Sequence, residues 1–196
     1  MVDIKAEYYK QLVNVLKENY TKRFFLFDAF NTKEEAKNFV LSKINKDNII
    51  TYGGSMTLTQ TGILPALQDG YPNFVNKPSA EIAREEKYQT YNSDIFLTGA
   101  NAITRDGEIV LIDYIGNRAS AILYGPLKVF VVIGINKVLP TLEDAMSYAK
   151  NITAPKQAIN LGINNYLDTC SYNVVINKSY TKDRIHIVLV NDVLGF

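Results

Sequence analysis

The sequence predicts an α/β fold: a single domain with a mainly parallel sheet flanked by helices. Three observations lead there. Near-continuous apolar runs of strand length recur at 94–99 ("DIFLTG"), 128–134 ("KVFVVIG") and 184–190 ("RIHIVLV"), the pattern of strands covered on both faces. Amphipathic helical stretches alternate with them. The length, 196 residues, suits one domain with one large core, and no repeat or linker divides it.

Each element follows from local chemistry. Asp3 caps a helix to about Tyr20, with Ile4, Tyr8, Leu12, Leu16 and Tyr20 spaced four apart; this N-terminal helix, 1–20, precedes a compact α/β unit at 21–196. "RFFLF" (23–27) is a strand. Thr32 and Glu35 form a capping box before the stripe Ala36, Phe39, Val40, Ile44. "NIITYGGS" (48–55) is a strand broken by glycines, and "TLTQTGILPALQ" (57–68) a helix that Pro65 ends or kinks. Residues 77–92 are helical with Ser79 as cap. "DIFLTG" and "GEIVLID" (107–113) form a hairpin through the Asp-Gly turn of "TRDGEI". Thr141 caps a helix over 141–152, with Asp144 as its box partner, and "RIHIVLV" is the last strand.

Composition excludes several functions. Hydrophobic residues make up 47% and charged residues 21%, with a formal charge of +1, so no strong field draws the chain to nucleic acid or anionic lipid. Thirteen Tyr and nine Phe lack the basic neighbours of an RNA-binding sheet. No apolar run approaches the ~20 residues that span a bilayer, and the start has no signal-peptide pattern. The expected compartment is the cytoplasm. One cysteine, Cys170, excludes an intramolecular disulfide and a cysteine-built metal site. No metal or cofactor is expected.

Polar residues gather at three strand ends, where ligands lie in open α/β sheets. In "YGGSMT", Gly53 and Gly54 admit a close backbone approach, while Ser55 and Thr57 supply hydroxyls beside a helix start. That suits a phosphate or carboxylate, but a turn plus an N-cap explains it equally well. In "LTGANAIT", Asn101 can donate to an oxyanion or simply stabilise a turn. In "IDYIGNR", Arg118 offers a planar fork to a carboxylate or phosphate. Asp113 either orients it or, left without a cation, acts as base or nucleophile; Gly116 turns the chain and Asn117 adds a donor and an acceptor. The bland alternative is an Asp–Arg pair that pins a loop. His186, the only histidine, sits mid-strand and reads as structural.

The runs "YGGSMTLTQTGIL", "DIFLTGANAITRDGEIVLIDYIGNRASAILYGPLKVFVVIGINKV", "APKQAINLG" and "RIHIVLVNDVLGF" resemble the LUD-domain family, the lactate-utilisation protein C group. The resemblance runs from about residue 20 onward. It implies a fold like the sugar-phosphate isomerase and CoA-transferase group. It also implies an accessory or regulatory subunit of bacterial L-lactate oxidation to pyruvate, beside an iron–sulfur protein and a second redox subunit, without an established reaction of its own. Gly53, Gly54, Ser55, Thr57, Asn101, Asp113, Gly116, Asn117 and Arg118 are carried over as its small-anion site. Where many relatives hold a cysteine cluster, this chain keeps only Cys170. The alternative is a stand-alone enzyme acting on a sugar phosphate or acyl-CoA through Asp113. The number of chains in the assembly is left open.

Overall fold

The computed structural model describes residues 2–75 and 84–196; Ser79 lies outside them. Its elements are α1 (Ile4–Lys22), β1 (Leu26–Phe30), α2 (Lys33–Ser42), β2 (Ile50–Tyr52), α3 (Met56–Gln60), α4 (Ile63–Gly70), α5 (Arg84–Asn92), β3 (Ile95–Thr98), β4 (Ala102–Thr104) and β5 (Ile109–Asp113). Then come α6 (Asn117–Tyr124), β6 (Lys128–Gly134), a 3-10 turn (Ile135–Lys137), β7 (Val138–Leu139) and α7 (Leu142–Tyr148). A π-helical segment (Ala149–Thr153), α8 (Ala154–Asn160), a second 3-10 turn (Tyr166–Thr169), β8 (Tyr172–Ile176) and β9 (Ile185–Val190) complete it.

The main sheet is parallel throughout, in the order β1-β9-β6-β3-β2. Alternate residues of β6 enter different layers, as the two-residue period of a strand requires. Val129, Val131 and Ile133 pack with Leu16 and Tyr20 of α1 and Ala121 and Ile122 of α6. Phe130 and Val132 face the opposite way, among Val40 of α2 and Leu58, Ile63 and Leu67 of α3 and α4. Both faces are covered, so the strands are apolar without interruption.

A second sheet, β7-β4-β5-β8, lies beside the first. One face joins the layer of α1 and α6 through Ile103, Ile109 and Leu111; the other packs Ala102, Val110 and Ile112 against Ala145, Ala149 and Ala154. The hairpin expected between "DIFLTG" and "GEIVLID" is therefore corrected: β5 pairs antiparallel with β4, while β3 stays in the parallel sheet. Three residues, Gly99 to Asn101, carry the chain from one sheet to the other.

Other boundaries move for local reasons. Leu12, Leu16 and Tyr20 of the expected α1 stripe turn inward, but Ile4 is 81% and Tyr8 55% exposed. A row spaced by four drifts about 40° per step around a 3.6-residue helix, so Tyr9 and Val13 complete the inner face. β1 starts at Leu26 rather than residue 23, because residues 23–25 close α1. The Phe25 N–H returns to Tyr20 O at 3.0 Å and Phe24 adopts φ 66°.

The helix predicted over 57–68 is two helices. Gly62, at φ 74°, separates them, and Pro65 is accommodated in the first turn of α4, where its missing N–H had no partner to lose. The helix predicted over 141–152 runs through the π segment into α8. Pro155 has no N–H to return to the preceding turn and its ring would crowd the carbonyl four residues back, so the backbone widens before it. Asp3, Thr32 and Thr141 cap α1, α2 and α7 as their spacing predicts.

Candidate functional site

Parallel pairing sends the carboxyl ends of β2, β3 and β6 to one edge of the sheet. A cleft of about 210 Å³ lies there, larger than the ~150 Å³ that admits benzene in an engineered protein cavity. Gly54, Ser55, Asn101, Asp113, Asn117 and Arg118 line it. The three strand-end segments singled out in the sequence thus meet. Gly53 and Thr57 are buried behind the surface, and Gly116, half-buried, lies outside the lining. Gly53 backs Arg118 so closely that an added Cβ would fall 2.5 Å from Arg118 Cγ. Gly116, at φ 78°, takes the left-handed turn that starts α6.

Arg118 is locked in place. Its Nε and Nη2 both lie 2.6 Å from Asp113 Oδ1. Nη2 also donates to Ile112 O at 2.7 Å and to Asn101 Oδ1 at 3.1 Å. Asp113 Oδ2 accepts the Ala119 N–H at 2.7 Å, which caps the first turn of α6 with a carboxylate. Both carboxylate oxygens therefore hold charge-assisted or dipole-assisted bonds. Asn101 ties the network to the second sheet: Oδ1 accepts the Ile112 N–H at 3.0 Å, and Nδ2 donates to Thr153 Oγ1 at 2.9 Å. Nη1 of Arg118 holds no hydrogen bond among the described residues.

The sequence reading missed Lys137. It stands on the 3-10 turn after β6 and lines the cleft with its side chain, yet the residue is only 6% exposed. Its Nζ donates to Ala100 O at 3.3 Å and to Thr57 Oγ1 at 3.5 Å. Among the described residues it joins no ion pair. Burial, with the Arg118 guanidinium as a second cause, lowers its pKa from 10.5 to about 8. The segment "GINKV" carries a signal for it: a cation placed just past a buried strand, like Asp113 past β5. Thr153, Gln157 and Thr169 complete the polar lining from the π segment, α8 and the second 3-10 turn.

His186 lies elsewhere, stacked on Phe130 with Nε2 2.8 Å from Asp28 Oδ2. Cys170 Sγ donates to Tyr166 O. Among the described residues no three His, Cys, Asp or Glu side chains gather as metal ligands, and no helix is long and apolar enough to cross a membrane.

The sequence profile of the LUD domain matches residues 13–190. No curated protein sequence matches the chain. Among solved structures, the crystal structure of a DUF162-family protein from Deinococcus radiodurans superposes with a TM-score of 0.60 at 10% identity. The match covers 93% of this chain and 98% of that one. At that identity the likeness is one of fold, and it agrees with the parallel sheet and helical layers described above. With nearly its whole length matched by the profile, the chain belongs to the LUD-domain family.

Proposed function

We propose that this LUD-domain protein binds a small monocarboxylate of lactate or pyruvate size in the strand-end cleft. In this reading it serves as an accessory or regulatory subunit of bacterial L-lactate oxidation, beside an iron–sulfur protein and a second redox subunit. One observation carries the ligand class: Arg118 and Lys137 line the same small hollow, and Asp113 is the lone side-chain carboxylate among its lining residues. Asp113 is already committed to Arg118, so the cation of Lys137 is left without an acidic side chain of its own. A single carboxylate offsets it. Arg118 offers a planar donor, Lys137 a point charge, and the cleft has room for a carboxylate with several carbon atoms attached.

Asp113 acts in this reading as the group that positions Arg118, Gly53 packs behind the Arg118 stem, and Gly54 and Ser55 line the cleft. The test is a thermal-shift series with L-lactate, pyruvate, inorganic phosphate and sugar phosphates, on wild type and Lys137→Met. Anything that binds the native state alone raises its melting temperature. Lactate and pyruvate are expected to stabilise wild type and to lose about tenfold in affinity, ~1.4 kcal/mol, in the variant. No response to either carboxylate in wild type would sink the reading.

A further inference from the structure

We propose that Lys137 captures 2-oxo acids covalently, its Nζ forming a Schiff base with the C2 carbonyl while Arg118 holds the adjacent carboxylate. The inference rests on the small-carboxylate reading above and deepens it, because it separates 2-oxo acids from their 2-hydroxy counterparts at the same site.

Three features of the geometry lead to it. First, Lys137 lacks what a structural buried lysine normally has. Buried ammonium groups are found paired, because an isolated charge away from water is costly. Here the acceptors are an uncharged hydroxyl and a carbonyl, at 3.5 and 3.3 Å. Both distances exceed the usual span for a charge-assisted bond, ~2.7–2.9 Å, so the amine is held without being strongly claimed.

Second, its placement is rigid. The turn that carries it is fastened to the end of the chain at the two residues before Lys137. Ile135 N–H donates to Asp192 O at 3.1 Å, and Asn136 Oδ1 accepts the Leu194 N–H at 3.0 Å. A nucleophile fixed this way loses little conformational freedom when it reacts.

Third, the neighbouring cation is positioned for the other half of the ligand. Arg118 and Lys137 both line the cleft. In a 2-oxo acid the carboxylate carbon is bonded directly to the carbonyl carbon, so one molecule can meet both groups. Arg118 cannot swing away while Asp113 and Asn101 hold it.

The chemistry balances without an oxidant or reductant. The nitrogen lone pair of neutral Lys137 adds to C2, and the carbonyl π pair moves to oxygen, which takes up the proton the nitrogen loses. The resulting carbinolamine expels its hydroxyl together with the remaining N–H proton as water. A C=N bond is left where the C=O and N–H bonds stood. Addition needs the amine uncharged. With a pKa of about 8 in the free site, roughly one Lys137 in four is neutral at pH 7.5 before the ligand arrives, against about one in a thousand for an ordinary lysine, and a lysine protonated beside the bound carboxylate must release that proton before it adds.

The experiment uses the full chain with pyruvate and sodium borohydride, read by intact mass and peptide mapping. Thermal shifts with pyruvate and L-lactate are measured on the same sample. The expected product gains the mass of pyruvate less one water plus two hydrogens, maps to Lys137, and is competed away by L-lactate. Its yield falls at least about tenfold in Lys137→Met. Stabilisation by both acids without such a product, or a product spread over surface lysines and absent from Lys137, overturns the covalent step and leaves the carboxylate site standing. Stabilisation by neither acid and no adduct overturns both. Because the adduct is mapped in wild type, the result does not depend on the variant folding.

Discussion

Asp113 and Arg118 form a pair whose carboxylate is almost sealed from water: the side chains are 1% and 17% exposed, with Nε and Nη2 of Arg118 each 2.6 Å from Asp113 Oδ1. The pair joins three elements. It links the end of β5 to the first turn of α6 and, through Asn101, to the crossing between the two sheets. The geometry therefore treats these residues as one unit, and substitutions within it should not act independently.

Removing either partner strands the other in a poorly solvated place. Breaking a buried pair costs about 3–5 kcal/mol, so both Asp113→Ala and Arg118→Ala are expected to lower the unfolding free energy by that order, read from the shift of the denaturant midpoint. For the same reason Arg118→Ala is not a clean binding variant. In the double variant no lone charge remains, and its loss should fall short of the sum of the singles by more than ~0.5 kcal/mol, the usual limit of additivity. Additive losses would mean that the two groups do not interact as their distances indicate.

Gly53 and Gly54 are neighbours with opposite expectations. A Cβ at Gly53 would meet Arg118 Cγ at 2.5 Å and Phe96 Cζ at 3.1 Å, whereas one at Gly54 would meet nothing within 4 Å. The Arg118 stem cannot yield easily, since its head is pinned by Asp113. Gly53→Ala should therefore cost about 1–3 kcal/mol through overpacking and weaken carboxylate binding. Gly54→Ala should leave both the melting temperature and the calorimetric affinity near wild type. Equal effects at the two positions would show that close packing on Arg118 is not what Gly53 provides.

Much of this arrangement was readable before any coordinates. The apolar runs of β3, β5, β6 and β9 each fill a strand buried on both faces, and Asp3, Thr32 and Thr141 cap their helices through side-chain oxygens placed as the capping rules require. The cluster in "IDYIGNR" was visible because its members are adjacent in sequence. The second sheet was not, because β4 and β7 span only three and two residues, too short for any period to register. Lys137 was missed for a different reason. Its burial is made by Thr57 and Gly195, at distant positions in the chain, and a lysine after an apolar strand otherwise resembles any surface cation. Thr153 was hidden by the π widening before Pro155, which turns its hydroxyl toward Asn101.

Lys137 should make the protein less stable than it need be at neutral pH. Its pKa falls from 10.5 unfolded to about 8 folded, so between those values the unfolded chain binds more protons and wild-type stability rises with pH. Below about pH 8 the full penalty of the buried cation is present. Replacing it with an uncharged chain of similar length removes that penalty. Lys137→Met is expected to gain about 1–3 kcal/mol at pH 7, the upper end set by ~1.4 kcal/mol per pKa unit. The gain should shrink as the pH approaches 10.5. Melts of both proteins at pH 7 and pH 10 check this, and a difference that stayed constant would show that Lys137 titrates normally.

The same residue predicts a proton signature for binding. A carboxylate seated beside Lys137 favours its charged form, moving its pKa from about 8 back toward 10.5. L-lactate, which has no carbonyl to react, isolates this effect from Schiff-base chemistry. At pH 6.5 Lys137 is protonated with or without ligand, and binding should exchange no proton. At pH 9 most of the free sites are neutral, and binding should take up a fraction of a proton approaching one. Calorimetric titrations at each pH in two buffers of different ionisation enthalpy measure that uptake directly: the apparent heats should agree at pH 6.5 and diverge at pH 9. Heats that agree at both values, with lactate bound, would place the ligand away from Lys137.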